Sequence, residues 1–458
     1  MANWTILSSG ARNFNSTPYY LVSVKIVNLP KDNTADGSLC EERNKQIVCG
    51  GCELLCEDVT AQIIESGTGC IVADDWFAQS ELQPESMIDG RNAPLAEAID
   101  MASQRLLSAR RTLITGLVST TLDTIQIACA LAECIHASID ANAYENSLLS
   151  APTAIRVGDV TADFEELRDR ADLAIFWGCN PSEDFPRFIE RFIQPKPQDA
   201  SRRTISVGPT PVLPSSSHNL HFSVPEDQLV SLARLVHAQA EKRATSKSFS
   251  DLENIADQLT KSIDAARCVG IISAKTVEQT GLVGWSLTHL IRSLAHQKPS
   301  FGIRLNAGAD AGGGNCAGAS IVCTWRFGAP GAIPVASCTG SEFLPAEADA
   351  QTLIERDEVD CVLIIGRLRS RIEDLLTISP KQKTVIHVSD TFRLPKYENS
   401  IRLGCASLSR STKGDMLRSD GRLITLQPFA KSQKPSIQKV LIDLLNQLAV
   451  ETHRRSTP

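Results

Sequence analysis

Cys49, Cys52, Cys56 and Cys70 carry the clearest chemistry in this chain. The first three fall in the run Cys49-Gly-Gly-Cys52-Glu-Leu-Leu-Cys56, and 13 residues separate Cys56 from Cys70. A C-x2-C-x3-C run presents three thiolates from one tight loop, because Gly50 and Gly51 let the backbone curl around an ion or a cluster. Cys70 would close the site. Soft thiolates select zinc or iron–sulfur, and four of them with no histidine among them exclude a magnesium or calcium site. Zinc, an iron–sulfur cluster and a thiol-rich loop without metal are the three readings of this spacing.

Other candidates lie where strands end. Gly178-Cys-Asn-Pro181 follows an apolar run, and Asn180 before the turn-forming Pro181 would aim backbone amides at an anion; an ordinary turn is the plainer alternative. Asn306 to Ala319, with Gly308, Gly312, Gly313 and Gly314, is glycine-rich, but no Lys-Ser/Thr follows the glycines, so nucleotide hydrolysis has no support. Gly414 to Arg422 is a charged turn holding Arg418 and Asp420. Arg367, Arg369 and Arg371 follow the run Val362–Ile365, and if they converge with Arg418 and Arg422 they could hold carboxylates, the plainer reading being an exposed charged face. Asp390 ends the run Thr384–Val388. The candidate cofactor-binding residues are therefore Asn180, Asn306, Gly308, Asp390, Arg418 and Asp420. No GxSxG elbow, HExxH motif or Cys-His pair occurs in the sequence, so no residue is assigned a catalytic role.

These residues need elements to place them. The chain has 458 residues, 42% hydrophobic and 22% charged, enough to bury a large core in two or three globular units. The formal net charge of −7 argues against non-specific nucleic-acid binding, and no apolar run approaches the roughly 20 residues of a membrane span. Met1 to Tyr20 lacks a secretory signal, which makes the cytoplasm the expected compartment and reduced thiols the expected state of the 14 cysteines. Tyr20–Val27 and Val59–Ile64 alternate as half-buried strands do, so residues 1–89 read as a small β-rich cysteine module.

From Gly90 the pattern changes to strands alternating with helices, the signature of a parallel sheet covered on both faces. A helix is expected from Asn92 and Pro94 to Arg110 on the stripe Leu95, Ile99, Ala102, Leu106, and another from Asp123 to Ile139. Strands are expected at Thr112–Gly116, Leu173–Trp177, Thr204–Val207, Val269–Ile272, Val362–Ile365, Thr384–Val388 and Leu423–Leu426. This α/β body runs to about residue 430, in one or two lobes, and residues 431–458 form a C-terminal helix and tail.

Taken in order, the pieces resemble the B subunit of formylmethanofuran dehydrogenase, of the molybdopterin oxidoreductase superfamily, and its relative in bacterial formyltransferase/hydrolase complexes. The resemblance spans about Val48 to Phe429. It rests on Cys49 to Asp58, on Gly178-Cys-Asn-Pro181 followed by Pro186-Arg187, on Asn306-Ala-Gly to Trp325-Arg-Phe-Gly328, and on Gly414 to Pro428. It implies a molybdopterin-oxidoreductase-like fold, a [4Fe-4S] cluster in the cysteine module, and an α/β body that cradles a bis-pterin carrying tungsten or molybdenum.

One departure qualifies that implication. Redox-active members supply a cysteine or selenocysteine followed by histidine after the helix that corresponds to the one expected to end near Ile139. Asp140 to Ser150 holds neither Cys nor His, leaving only a serine oxygen from Ser147 or Ser150. The resemblance therefore implies a structural beta subunit with a degenerate pterin site. Its complex would act in tetrahydromethanopterin-linked one-carbon metabolism from formaldehyde to formate. Partners would be an amidohydrolase-like alpha subunit, a formyltransferase subunit and a gamma subunit, with a methanofuran-like carrier. A redox-active tungsten or molybdenum subunit is the alternative, and a zinc-stapled scaffold the second.

Overall fold

The computed structural model describes residues 46–79, 85–141, 158–182, 184–194, 202–243, 251–274, 282–305, 308, 312–334, 342–368, 370–378, 383–391 and 399–456. The expected strand Tyr20–Val27 and the bend 142–157 lie outside them, as do Asn306 and Arg369. In chain order the strands are β1 (Met87–Ile88), β2 (Arg91–Asn92), β3 (Thr112–Gly116), β4 (Ser138–Asp140), β5 (Leu173–Trp177), β6 (Arg203–Gly208), β7 (Asn219–Ser223) and β8 (Val269–Ser273). They continue with β9 (Ser300–Arg304), β10 (Ile333–Pro334), β11 (Cys361–Ile365), β12 (Thr384–Ser389), β13 (Ser400–Gly404), β14 (Gly414–Leu417) and β15 (Leu423–Leu426).

Two parallel sheets organise the body. The larger has the order β10-β4-β3-β11-β12-β13-β1-β2; it is parallel from β4 to β13, and short antiparallel strands finish its edges. The smaller, β7-β6-β5-β8-β9, is parallel throughout and reverses direction of winding between β5 and β8. Their central strands are continuous apolar runs because helices cover both faces: every residue of β3, β5 and β11 is buried. The hairpin β14–β15 stands apart from both sheets.

The expected central strands are present, and two expectations are corrected. Val59–Ile64 is no strand: only an Ile47–Val59 bridge forms, and Thr60 then caps a helix, Ala61–Ser66, by accepting from the Ile63 N–H. Two β-branched isoleucines suggested a strand where a Thr cap starts a helical turn. The helix expected to reach Ile139 is Leu122–Ile135, closed by His136 in a left-handed conformation; Ser138–Asp140 then becomes β4 beside β3. Asp140 is fully buried and accepts from the Ala332 and Ala350 N–H groups, tying three segments together.

The first helix of the body runs Leu95–Ser108 and buries Ile99, Ala102 and Leu106. The C-terminal helix Ile437–Ser456 buries Ile437, Val440, Leu441, Leu444 and Leu448, a helical-period stripe, against that helix and Leu122–Ile135. Cys49, Cys52, Trp76 and Phe77 belong to the same continuous core as these helices and the larger sheet. Among the described residues no helix is long and apolar enough to cross a membrane.

Candidate functional site: a cysteine-lined pocket and the sheet edge behind it

The cysteine loop is closed locally. The Cys49 N–H donates to the Cys56 carbonyl at 2.9 Å, and the Leu55 N–H donates to the Cys52 carbonyl at 3.1 Å with Leu55 at φ +42°. Gly50 and Gly51 press on the following helix, Ile71–Gln79. A Cβ at Gly50 would lie 2.8 Å from the Trp76 ring, and one at Gly51 would lie 2.9 Å from the Val72 carbonyl oxygen. Cys70 is set by a small polar knot: the Thr68 hydroxyl accepts from the Cys70 N–H at 3.2 Å and donates to Asp74 at 2.7 Å.

The four cysteines thereby line one cavity, completed by Leu54, Val59, Val72, Ala73, Pro186 and Arg187. All four are buried. Burial pushes the Cys49 and Cys52 thiols well up, and neighbouring thiols add to the shift. Cys56 is also raised by burial, but Arg191 and Arg187 work against that rise. Among the described residues no three His, Cys, Asp or Glu side chains stand around one point closely enough to hold a metal ion. The donor chemistry, four buried soft sulfurs in an apolar cradle, fits a thiolate-ligated group.

Arg187 is held by both oxygens of Asp58, at 2.9 and 2.7 Å, and by Glu190 at 3.0 Å. Arg191 lies 3.6 Å from Asp58. Burial would raise the Asp58 carboxyl, but the Arg187 hydrogen bond and the two guanidinium charges hold it below the usual carboxylate range. Across the Ile71–Gln79 helix, the Arg367 guanidinium stacks on the Trp76 ring at 3.9 Å and pairs with Asp390 at 3.3 Å. Asp390 also accepts from the Leu408 N–H at 3.0 Å.

The carboxyl edge of the larger sheet is where an α/β fold ordinarily binds its ligand. Among the described residues, the loops after β3 and β11 and the segment 312–315 pack on one another. Leu117 to Thr121, after β3, is buried throughout; the Ser119 hydroxyl accepts from the Arg367 N–H at 2.8 Å. Fully buried Asn315 donates to the Thr120 carbonyl at 2.6 Å and accepts from the Leu417 N–H at 2.8 Å. The glycines of the glycine-rich stretch allow this closeness. A Cβ at Gly313 would meet the Ser119 backbone at 2.5 Å, one at Gly314 the Cys52 carbonyl at 2.5 Å, and one at Gly308 the Asp184 side chain at 2.5 Å.

The remaining candidates are placed as follows. Asn180 is exposed and accepts from the Ser182 N–H at 3.1 Å, an Asx turn. Arg418 is 1% exposed, between Glu165 and Asp420 and against the Phe164 ring, while Asp420 also accepts from the Phe164 N–H at 2.8 Å. The exposed charged face that was the plainer reading does not hold for Arg367 and Arg418, and they do not form an open fan either: both are buried in ion pairs, and Arg422 pairs with Glu165 and Glu57. Carboxylates on neighbouring segments had claimed these cations. Sequence reasoning missed Arg191, Glu165, Trp76 and Asn315. The i,i+4 spacing of Arg187 and Arg191 was the one signal available, since it sets both on one helical face.

Two parallel sheets flanked by helices place the chain among α/β proteins, with four cysteines lining one pocket. No family model matches the chain. In sequence it is related to the B subunit of the tungsten-containing formylmethanofuran dehydrogenase 2 of Methanococcus maripaludis and of Methanocaldococcus jannaschii. Each is 27% identical over 165 residues, 32% of this chain; the match spans 37% of the relative's length. In fold it is similar to a chain in the crystal structure of the formyltransferase/hydrolase complex FhcABCD from Methylorubrum extorquens with methylofuran. That likeness has a TM-score of 0.64 and 17% identity, covering 80% of this chain and 99% of that one. The chain is a relative of the formylmethanofuran dehydrogenase B subunit with the fold found in the formyltransferase/hydrolase complex.

Proposed function

We propose that this chain is the B-type subunit of a formyltransferase/hydrolase complex, acting as its scaffold in one-carbon metabolism from formaldehyde to formate. In this reading an amidohydrolase-like alpha subunit, a formyltransferase subunit and a gamma subunit assemble with it. The complex passes formyl groups between a tetrahydromethanopterin carrier and a methanofuran-like carrier. Kinship with the formylmethanofuran dehydrogenase B subunit and the fold shared with a complex holding methylofuran support it.

The packing of the sheet edge carries the scaffold role. Where a bis-pterin would need an open crevice and free cations, Ser119, Asn315, Gly313 and Gly366 bring the loops into close contact. Arg367, Arg418 and Asp420 satisfy one another or neighbouring segments. The sequence between Asp140 and Ser150 offers no thiolate to a pterin-bound metal. These features support a pterin site that has degenerated.

The four cysteines that line the pocket support a [4Fe-4S] cluster as the group held there. A cluster there would supply reversible one-electron storage and four covalent ties between the loop and Cys70. Cys49, Cys52, Cys56 and Cys70 would hold it, Gly50 and Gly51 keep the loop close to Trp76 and Val72, and Leu54, Val59 and Val72 exclude water.

Affinity purification of the tagged chain from its native cell, followed by mass spectrometry and metal quantification, tests the whole reading. The expected result is co-purification of amidohydrolase-like and formyltransferase subunits, with iron present and neither tungsten nor molybdenum at stoichiometric level. Stoichiometric tungsten or molybdenum overturns the scaffold role. Zinc in place of iron overturns the cluster and leaves the complex standing.

A further inference from the structure

One wall of the cysteine pocket is cationic, and its construction is specific. Arg187 lines the cavity itself, Arg191 shares its partner Asp58, and both side chains are mostly buried, at 19% and 18% exposure. They sit four residues apart, so the Arg191 N–H donates to the Arg187 carbonyl at 3.0 Å. The segment then widens into a π-turn, Ile189–Ile193, closed by the Gln194 N–H to the Ile189 carbonyl at 2.8 Å. Such widened turns recur at functional sites because they re-aim side chains. Asp58, two residues beyond Cys56, clamps Arg187 with both oxygens. Yet Nη1 of Arg191 is buried and makes no hydrogen bond, its nearest carboxylate oxygen lying 3.6 Å away.

The two guanidiniums pair with Asp58 and Glu190, but those carboxylates are far more exposed, at 44% and 59%, and only Arg187 among the four lines the pocket, so the charge nearest the thiols is cationic. A buried guanidinium carries a desolvation cost that an anionic neighbour offsets. Four thiolates around a metal group are such a neighbour, since the ligated site has net negative charge. We infer that Arg187 and Arg191 are positioning residues for the group held by the cysteines: they form a charge-compensating wall that holds it in place and raises its reduction potential, and Asp58 sets how strongly. The inference rests on the cluster reading above, and it gives the Pro186-Arg187 pair a place in the cysteine site.

The direction follows from charge. Adding an electron makes an iron–sulfur site more negative, so nearby cations favour the reduced form and nearby anions oppose it. Removing a guanidinium should lower the midpoint potential, and neutralising Asp58 should raise it.

The test uses the full-length chain, reconstituted anaerobically with ferrous iron and sulfide. Wild type is compared with Arg187→Gln, Arg191→Gln, Arg187→Lys and Asp58→Asn by EPR-monitored redox titration and by the rate of iron loss to a chelator. Arg187→Gln and Arg191→Gln are expected to shift the midpoint to more negative values and to release iron several-fold faster. Arg187→Lys should stay close to wild type, and Asp58→Asn should shift the midpoint the other way. Midpoints and release rates that coincide across all five proteins overturn the wall while leaving the cluster intact. A wild-type chain that takes up no iron overturns the cluster reading itself, and the wall with it.

Discussion

Asp420 accepts the backbone N–H of Phe164 at 2.8 Å, across 256 positions of sequence, while its two oxygens hold Arg418 at 2.8 and 2.6 Å. The turn of the β14–β15 hairpin is thereby pinned to the start of the helix Phe164–Arg170, which leads into β5 of the smaller sheet. The hairpin is also held to the larger sheet through Asn315, which links Leu417 to the loop after β3. One buried polar network therefore ties both sheets to a hairpin that belongs to neither.

Breaking that network should cost more than its surface counterparts. Asp420→Ala leaves Arg418, 1% exposed, without one of its two carboxylate partners, and removal of one member of a buried pair costs roughly 3–5 kcal/mol. Asp420→Asn keeps an acceptor for Phe164 and should lose less. The exposed Lys439–Asp443 pair is a control, where Asp443→Ala should change stability by less than about 1 kcal/mol. Urea unfolding of the three variants checks the order; equal midpoints for Asp420→Ala and Asp443→Ala would remove the network's role.

Acid sensitivity has a defined sign at Glu165. Burial alone would raise this carboxyl, but Arg418 and Arg422 hold it below the usual carboxylate range. A carboxyl depressed on folding contributes stability that is fully present above its unfolded value, about 4.3, and fades as pH falls through the lower folded value. The Glu165 contribution should therefore be intact near pH 6 and fade below about pH 4. Glu165→Gln should flatten part of that fall. The measurement is the denaturation midpoint against pH; parallel curves for the two proteins would contradict it.

His387 acts in a different window. It lies in β12, buried, with Nε2 at 2.8 Å from the Gly366 carbonyl, and burial pushes it down from 6.5 to about 4. The ring stays neutral in the folded chain while the unfolded chain takes up a proton. Stability is thus lost between about pH 6.5 and pH 4 as the medium acidifies, the opposite of a histidine that gains an anionic partner. His387→Gln should remove this slope while leaving the steeper fall below pH 4. A thermal-midpoint series from pH 7 to 4 decides it, and an unchanged slope would place the neutral ring elsewhere.

What could be read in advance divides by physical origin. Every residue of β3, β5 and β11 is apolar or small enough for a doubly covered strand, so those strands were legible from composition alone. The cysteine spacing likewise led to four side chains that do share a pocket. Glycine was harder to read. Gly313 and Gly314 read only as part of a glycine-rich stretch, whereas they admit the backbones of Ser119 and Cys52. The arginines were harder still, because a cation's partner is fixed by tertiary contact. Nothing local links Arg418 to Glu165, 253 positions away.

Gly314 offers the most direct coupling between the sheet edge and the cysteine pocket. A methyl group there would sit 2.5 Å from both the Cys52 carbonyl oxygen and the Leu55 side chain, too close for either to remain in place. Overpacking of this kind costs roughly 1–3 kcal/mol, and the strain falls on the tight turn at Leu55, φ +42°. Gly314→Ala should therefore destabilise the chain and weaken iron retention together. Gly421→Ala is the matched control: its φ of +90° strains the new side chain, but no atom lies within 4 Å, so it should lower stability and leave iron retention untouched. Thermal midpoints and chelator-release rates on the two variants separate the effects. Equal iron retention in Gly314→Ala and wild type would show that the cysteine loop does not feel the packing behind it.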